Sequence, residues 1–266
     1  MRTLSFLSLF YYLIMAGCNQ ISESNNNELA KKSSESTINI FVSWPGTEAK
    51  PHYYWPTGDD KPKGIEPRLI ELILNKAELP YQYVPHFDFS GNGDPRIEAI
   101  LTGAADIAIR AISVTPERKK QVNFTTPYYS DGLSALVRKD SPVNSLEDLN
   151  DKRVFAHSYT TAYNWVKENL PESDLITFDL KKPQHFGAEQ LLLQDSIDAL
   201  VLDYTFLKYE VKKFQELRVL DEKFTFEPLA IAVDKDNTKL LNKINEAIRE
   251  LEGTRDFQAI IDEFEN

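Results

Sequence analysis

The chain carries a single cysteine, Cys18, which excludes a disulfide framework and any cysteine-based zinc or iron–sulfur site. Histidine is nearly as scarce: His52, His86, His157 and His185 show no i, i+4 pairing and no His-Glu-x-x-His, so neither a metal nor a cofactor is expected. Basic runs are missing too, because Lys+Arg at 30 against Asp+Glu at 41 gives a net charge of −11 with no basic run longer than three. Nucleic acid demands a concentrated basic face, so it is not expected as a partner. What is present is 266 residues, 42% hydrophobic and 11% aromatic. That is enough for about two domains with a sizeable core, and it is unlike a disordered, collagenous or coiled-coil composition.

Arg2 is the only charged side chain before Glu23 and precedes an apolar run over residues 4–16. The run is short for a bilayer span and long enough for a signal-peptide core, which implies export. It ends in Ile14-Met15-Ala16-Gly17-Cys18, which resembles the lipobox of bacterial lipoproteins, although Met15 stands where leucine is usual. The resemblance implies cleavage after residue 17 and lipidation of Cys18, so that the protein is held on a membrane, periplasmic or otherwise outside the cytoplasm. The alternative is an ordinary signal peptide with a chance cysteine at its end. Residues 18–37 are dominated by Ser, Asn, Glu and Lys, a composition that buries too little to offset its ordering entropy. About 20 such residues form a tether with a reach of about 25 Å.

From residue 38 onward short β-rich runs alternate with helical ones, the signature of an α/β fold with largely parallel sheets. Strands are predicted over 38–42, 81–84 and 107–109, with helices over 67–77 and 95–101. A second series follows: a helix start at Ser145-Leu146-Glu147-Asp148, strands at 154–156, 176–178 and 199–202, and helices over 161–169 and 188–194. Glu98-Ala99-Ile100-Leu101 and Asp106-Ile107-Ala108-Ile109 are echoed by Glu189-Gln190-Leu191-Leu192 and Asp198-Ala199-Leu200-Val201. Two α/β lobes are therefore expected rather than one large sheet. Residues 229–233 and two helices, over 238–251 and 254–264 with Gly253 between them, must pack on one of the lobes.

Thr115-Pro116-Glu117-Arg118 reads as a helix start, with Thr as cap and Pro at the first position. Arg118, followed by Lys119 and Lys120, opposes the helix macrodipole there. It marks either an anion held by the guanidinium and nearby N–H groups or a solvated basic turn. Gly91-Asn92-Gly93 lacks the third glycine and the helix of a phosphate loop and is a turn.

The run Ile97-Glu98-Ala99-Ile100-Leu101-Thr102-Gly103, Asp106-Ile107-Ala108-Ile109, Ser113-Val114-Thr115-Pro116-Glu117-Arg118, Val122-Asn123-Phe124 and Pro127-Tyr128-Tyr129 resembles the amino-acid-binding branch of the bacterial extracellular solute-binding proteins. The resemblance covers nearly all of 38–264. Pro67 and Arg68 after Gly64-Ile65-Glu66, and Ser43-Trp44-Pro45-Gly46 after the first strand, depart from its pattern. It implies a two-lobed periplasmic-binding-protein-like fold of type II: residues 38–127 and 229–266 as lobe 1, 133–224 as lobe 2, with hinge strands at 128–132 and 225–229. It also implies a ligand cleft in which Arg118 grips an α-carboxylate beside Ser113, Ala111 offers backbone groups, and Thr161 brings a helix N-terminus. Asp203 would accept the α-ammonium, or simply cap the helix that follows it. Phe89 would be a wall residue, or else core. Arg110 stands where a small residue is usual and either meets an anionic ligand group or is absorbed by a neighbouring carboxylate. His157 either selects the side chain or is a strand-end histidine, and Trp44, Tyr53, Tyr54 and Trp55 are wall or core. The implied function is capture of a small polar ligand, an amino acid or analogue, by a monomer that delivers it to an ABC permease, not an enzyme. The same fold also serves a cyclohexadienyl dehydratase and transporter-independent sensors.

Overall fold

The computed structural model describes residues 36–90, 93–178 and 187–265. The leader, Cys18, most of the tether, Gly91 and Asn92 of the predicted turn, and His185 lie outside the described residues. The chain begins with β1 (Ile38–Phe41), a hairpin of β2 (Glu48–Ala49) and β3 (Tyr53–Tyr54), α1 (Ile65–Lys76), β4 (Tyr81–Tyr83), α2 (Pro95–Leu101), β5 (Ile107–Ala108), α3 (Pro116–Lys119) and β6 (Asn123–Phe124). After β7 (Tyr129–Asp131) come β8 (Leu133–Arg138), β9 (Arg153–Phe155), α4 (Thr161–Asn169), β10 (Asp174–Ile176), α5 (Ala188–Leu193), β11 (Ala199–Asp203), α6 (Tyr204–Glu210) and β12 (Leu217–Val219). The chain then closes with β13 (Glu227–Leu229), β14 (Ala232–Val233), α7 (Thr238–Leu251) and α8 (Arg255–Ile261).

These elements form two five-stranded sheets, ordered β4-β1-β5-β14-β6 and β10-β9-β11-β8-β12. In each, three parallel strands are followed by antiparallel ones. Strand alternation puts Ile38, Ile40, Ile107 and Val233 on one face of the first sheet, with α1, α7 and α8, and Phe41, Ala108 and Ala232 on the other, with α2. The second sheet divides likewise, with Val154, Ala199 and Val201 on one face and Phe155, Leu200 and Leu136 on the other. Both faces are covered, which is why these strands read as nearly continuous apolar runs.

Three local expectations are corrected. Ser145-Leu146-Glu147-Asp148 starts no α-helix: Asp148 accepts from the N–H groups of Asn144 and Ser145 at 2.8 and 3.1 Å, closing a turn that leaves only a 3-10 segment at Glu147–Leu149. The strand expected at 176–178 lies two residues earlier, because Asp174, Leu175 and Ile176 pair in register with Arg153, Val154 and Phe155. The helix expected from Pro67 begins at Ile65, since proline is tolerated in a first turn whose N–H groups are unpaired anyway.

The chain passes between the sheets at β7 and again at β13, and these strands pair antiparallel, Glu227 opposite Asp131 and Leu229 opposite Tyr129. Beside this ribbon the two sheets' own segments touch. His52 stacks on Phe206 of α6 with ring centres 4.1 Å apart, and its Nε2 meets Thr205 Oγ1 at 2.6 Å. Thr205 donates its own proton to Asp131, so Nε2 is the donor to it. Burial drives the His52 pKa down to about 3, so the ring is neutral.

Gly132 lies between β7 and β8 against the segment that leads into β13: a Cβ there would lie 2.1 Å from the Thr225 carbonyl oxygen. Gly132→Ala is expected to force the crossing strands apart and to destabilise the protein by about 1–3 kcal/mol. Chemical denaturation of variant and wild type checks this, and equal midpoints would refute it.

Candidate functional site

A cleft of about 690 Å³ opens between the two sheets, lined by Trp44, Tyr53, Phe89, Arg110 and Ala111 from one side and by His157, Phe178, Asp203 and Phe206 from the other. Trp44, Arg110, His157 and Asp203 lie at or beyond the carboxyl ends of β1, β5, β9 and β11, where open α/β sheets place ligands.

One end of the cleft is built on Asp94. This residue caps α2 by accepting from Arg96 N, and its carboxylate also takes the Arg96 Nε and Nη2 donors, both at 2.7 Å. Arg118 Nη2 donates to the same carboxylate at 2.9 Å, while Nη1 donates to the Ser113 carbonyl at 2.9 Å. Burial alone would push the Asp94 carboxyl up, but the two guanidinium groups outweigh it and hold it at about 2. Arg118, buried and beside the Arg96 charge, is pulled down to about 10. Two arginines face one carboxylate, so these three side chains together carry one net positive charge, with the Glu227 carboxylate also acting on Arg118.

A second carboxylate lies on the crossing ribbon. Glu227 accepts from Ser113 Oγ on the first sheet's side, from Thr161 Oγ1 at the start of α4 at 2.8 Å, and from Thr225 Oγ1 at 3.2 Å. Hydroxyls from both halves of the molecule thus meet on one buried side chain.

Asp203 is the opposite case. It makes no side-chain cap to α6, and its Oδ1 is shut from solvent with no hydrogen-bond partner. Burial, followed by the nearby Asp131 and Glu227 charges, pushes its pKa well above the usual carboxylate range. A buried acceptor left in this state is costly unless a donor arrives.

The remaining wall is pinned through the backbone of residues 110 and 111. Arg96 Nη1 donates to both of their carbonyls at 3.1 Å. Ala111, at a positive φ of 44°, donates its N–H to Glu66 Oε1 at 2.6 Å, and the same oxygen accepts from Tyr128. Burial lifts the Glu66 pKa to about 7. Arg110 donates from Nε to Tyr53 Oη at 2.7 Å and lies over the Trp44 and Tyr53 rings, 5.4 and 5.1 Å from their centres. Burial and then the Arg110 charge lower the His157 pKa to about 4, leaving that ring neutral.

Of the residues named from sequence, Trp44, Phe89, Arg110, Ala111, His157 and Asp203 line the cleft. Arg118, Ser113 and Thr161 stand behind it, their donors engaged by Asp94, a carbonyl and Glu227. Trp55 is core, 2% exposed. The anion beside Arg118 is thus the protein's own Asp94. Sequence reasoning missed Asp94, Arg96, Glu66 and Glu227. Arg96 had a signal: it sits in the first turn of α2 just as Arg118 does in α3, an arginine against the macrodipole. Glu66 had another, as a charge among the apolar positions of α1.

Residues 45–265 match the family described as bacterial extracellular solute-binding proteins, family 3. The L-cystine-binding protein TcyJ of Escherichia coli (strain K12) is 30% identical over 250 residues, covering 93% of this chain and 89% of that protein. Among solved structures, an ancestral arginine-binding protein bound to arginine superposes with a TM-score of 0.73 at 28% identity, over 86% of this chain and 98% of that one. The ancestral amino acid-binding protein AncCDT-1, a precursor of cyclohexadienyl dehydratase, gives 0.72 at 27% identity, over 90% and 98%.

Glu66 makes stability depend on pH in a direction set by its raised value. Its folded-state pKa of about 7 exceeds its unfolded value of 4.5, so its contribution is complete below pH 4.5 and is lost as pH rises to about 7, amounting to about 3 kcal/mol. Glu66→Gln keeps an acceptor for Ala111 and Tyr128 and cannot ionise. The melting temperature of the variant relative to wild type is expected to rise between pH 5 and pH 8; a constant difference would refute the assignment.

Proposed function

The chain belongs to the bacterial extracellular solute-binding proteins, family 3, and we propose that it captures a zwitterionic amino acid or close analogue in the cleft between its lobes. The observation that carries this reading is the unpartnered Asp203 Oδ1 near an arginine group with one positive charge to spare. An ammonium at Asp203 restores the missing donor and draws the carboxyl back to its charged form. A carboxylate is received toward Arg118 and Arg96, where Asp94 holds the guanidinium planes in place and Ser113 and Thr161 fix the Glu227 side chain behind them. Ala111 offers backbone groups, and Phe89, Trp44 and His157 form the wall.

The names of related proteins support the ligand class: TcyJ binds L-cystine, and an ancestral neighbour is bound to arginine. Residues 38–127 with 229–266 act as one lobe and 133–224 as the other, and the ribbon segments 128–132 and 225–229 serve as the hinge about which they close on ligand. The monomeric protein then delivers the ligand to an ABC permease. Binding rather than catalysis fits the cleft, since among the described lining residues no hydroxyl is bonded to a histidine side chain, and Asp94 is consumed by two guanidinium groups. The dehydratase reading draws on AncCDT-1 and would use the raised Asp203 carboxyl as its acid.

Asp203→Asn is expected to weaken amino-acid binding by about 2–5 kcal/mol, roughly 30-fold to several thousand-fold. The desamino ligand should lose as much on wild-type protein and little further on the variant, because the same contact is deleted twice. Calorimetric titration of the four combinations checks this; additive losses would refute the contact, and recovery of a chemically altered ligand would favour the enzyme.

We further propose anchoring through a lipid on Cys18 after removal of residues 1–17, with residues 18–37 as the tether. Cys18→Ser is expected to move the protein from the membrane fraction to the soluble one or to block its processing. Unchanged fractionation and unchanged size would refute the anchor.

A further inference from the structure

Arg110 is a half-buried cation on the cleft wall. Its Nη1 is shut from solvent and has no hydrogen-bond partner, and among the described residues no carboxylate forms an ion pair with it. Glu66 is the nearest internal candidate and feels the Arg110 charge, but no hydrogen bond joins them: its Oε1 is shared by Ala111 N and the Tyr128 hydroxyl, and its Oε2, like Arg110 Nη1, has no partner.

The guanidinium is nevertheless held firmly in place. Tyr53 Oη accepts from its Nε, the Trp44 and Tyr53 rings flank it, and its backbone is gripped by Arg96. A fixed guanidinium with a spare donor at a cleft wall is a receptor for an anion, since little freedom is lost when a hydrogen bond forms.

Its location separates it from the zwitterion end. The main charges acting on Asp203 are those of Asp131, Glu227, Arg96 and Arg118, whereas Arg110 acts on His157, in the opposite wall, and on Glu66 behind it. A single α-carboxylate held near Arg118 therefore leaves Arg110 unanswered. Neutral His157 can add a hydrogen bond to an anion there without a competing carboxylate.

We infer that Arg110, fixed between Trp44 and Tyr53 and facing His157, is a distal subsite for a second anionic group, so that the ligand is an amino acid whose side chain ends in an acid. This rests on the zwitterion reading of the cleft and specifies its other end. It also sets this chain apart from arginine-binding neighbours, because a cationic side chain would meet the like charge of Arg110 at close range.

The test is calorimetric titration of the purified full chain with L-aspartate and L-asparagine, L-glutamate and L-glutamine, L-2-aminoadipate and L-arginine. On wild-type protein the best acid should bind at least about tenfold more tightly than its amide, and arginine more weakly than either. Arg110→Gln should abolish the acid preference, and Arg110→Lys should restore part of it. An amide or arginine binding as well as the best acid overturns the inference, and so does an acid preference that survives Arg110→Gln. Because the wild-type panel decides on its own, a variant that fails to fold does not protect the proposal. Neutral amino acids binding with acids rejected would overturn the subsite and leave the zwitterion reading standing; no amino acid binding at all would overturn both.

Discussion

A carboxylate shared by two buried guanidinium groups organises this molecule. Asp94 starts α2 by capping it and neutralises one of the two arginines it touches. Through Arg96 it fixes the backbone of residues 110 and 111, and through Arg118 it fixes the side chain beside Ser113. Buried charge tolerates little disorder, because a guanidinium that loses its partner there keeps the full desolvation penalty. The position of the Arg110 side chain is thus inherited from an ion cluster it does not belong to.

The second buried carboxylate, Glu227, makes a related demand on the crossing ribbon. Ser113 and Thr161 come from opposite halves of the molecule, and both hydroxyls point to it. In the arrangement described here the halves are therefore joined by polar contacts through the ribbon as well as by the stack of His52 on Phe206. Neutral His52 suits that stack, since a charged ring without water would cost more than the aromatic contact returns.

The alternation of apolar strands and helices, the echo between the two series, and the Thr-Pro-Glu-Arg turn made the α/β architecture and the Thr115 cap readable from sequence. Local pattern encodes such features within a few residues. The failures share a physical cause, which is that the deciding partner is remote in the chain. Asp148 reads as a helix residue until its side chain turns back on Asn144, and β10 takes its limits from β9 rather than from its own apolar run. The carboxylate that Arg118 meets, Asp94, sits 24 positions earlier, out of reach of the helix-start pattern around Thr115. Ser113 and Glu227 are 114 positions apart, a separation across which no periodicity carries information. Arg110 and Asp203 were singled out by the family resemblance rather than by local pattern, and both line the cleft.

Asp203 and Phe206 are joined through the start of one short helix. Asp203 precedes the first turn of α6, and Phe206 stands three residues along on the same turn, at a rise of about 4.5 Å. A hydrogen-bonded helical turn holds its backbone rigid, so the Cα atoms of the two residues keep a fixed separation. The turn that presents the Asp203 carboxyl to the cleft is thus also the turn whose ring is seated on His52, so a rigid shift of that backbone moves both.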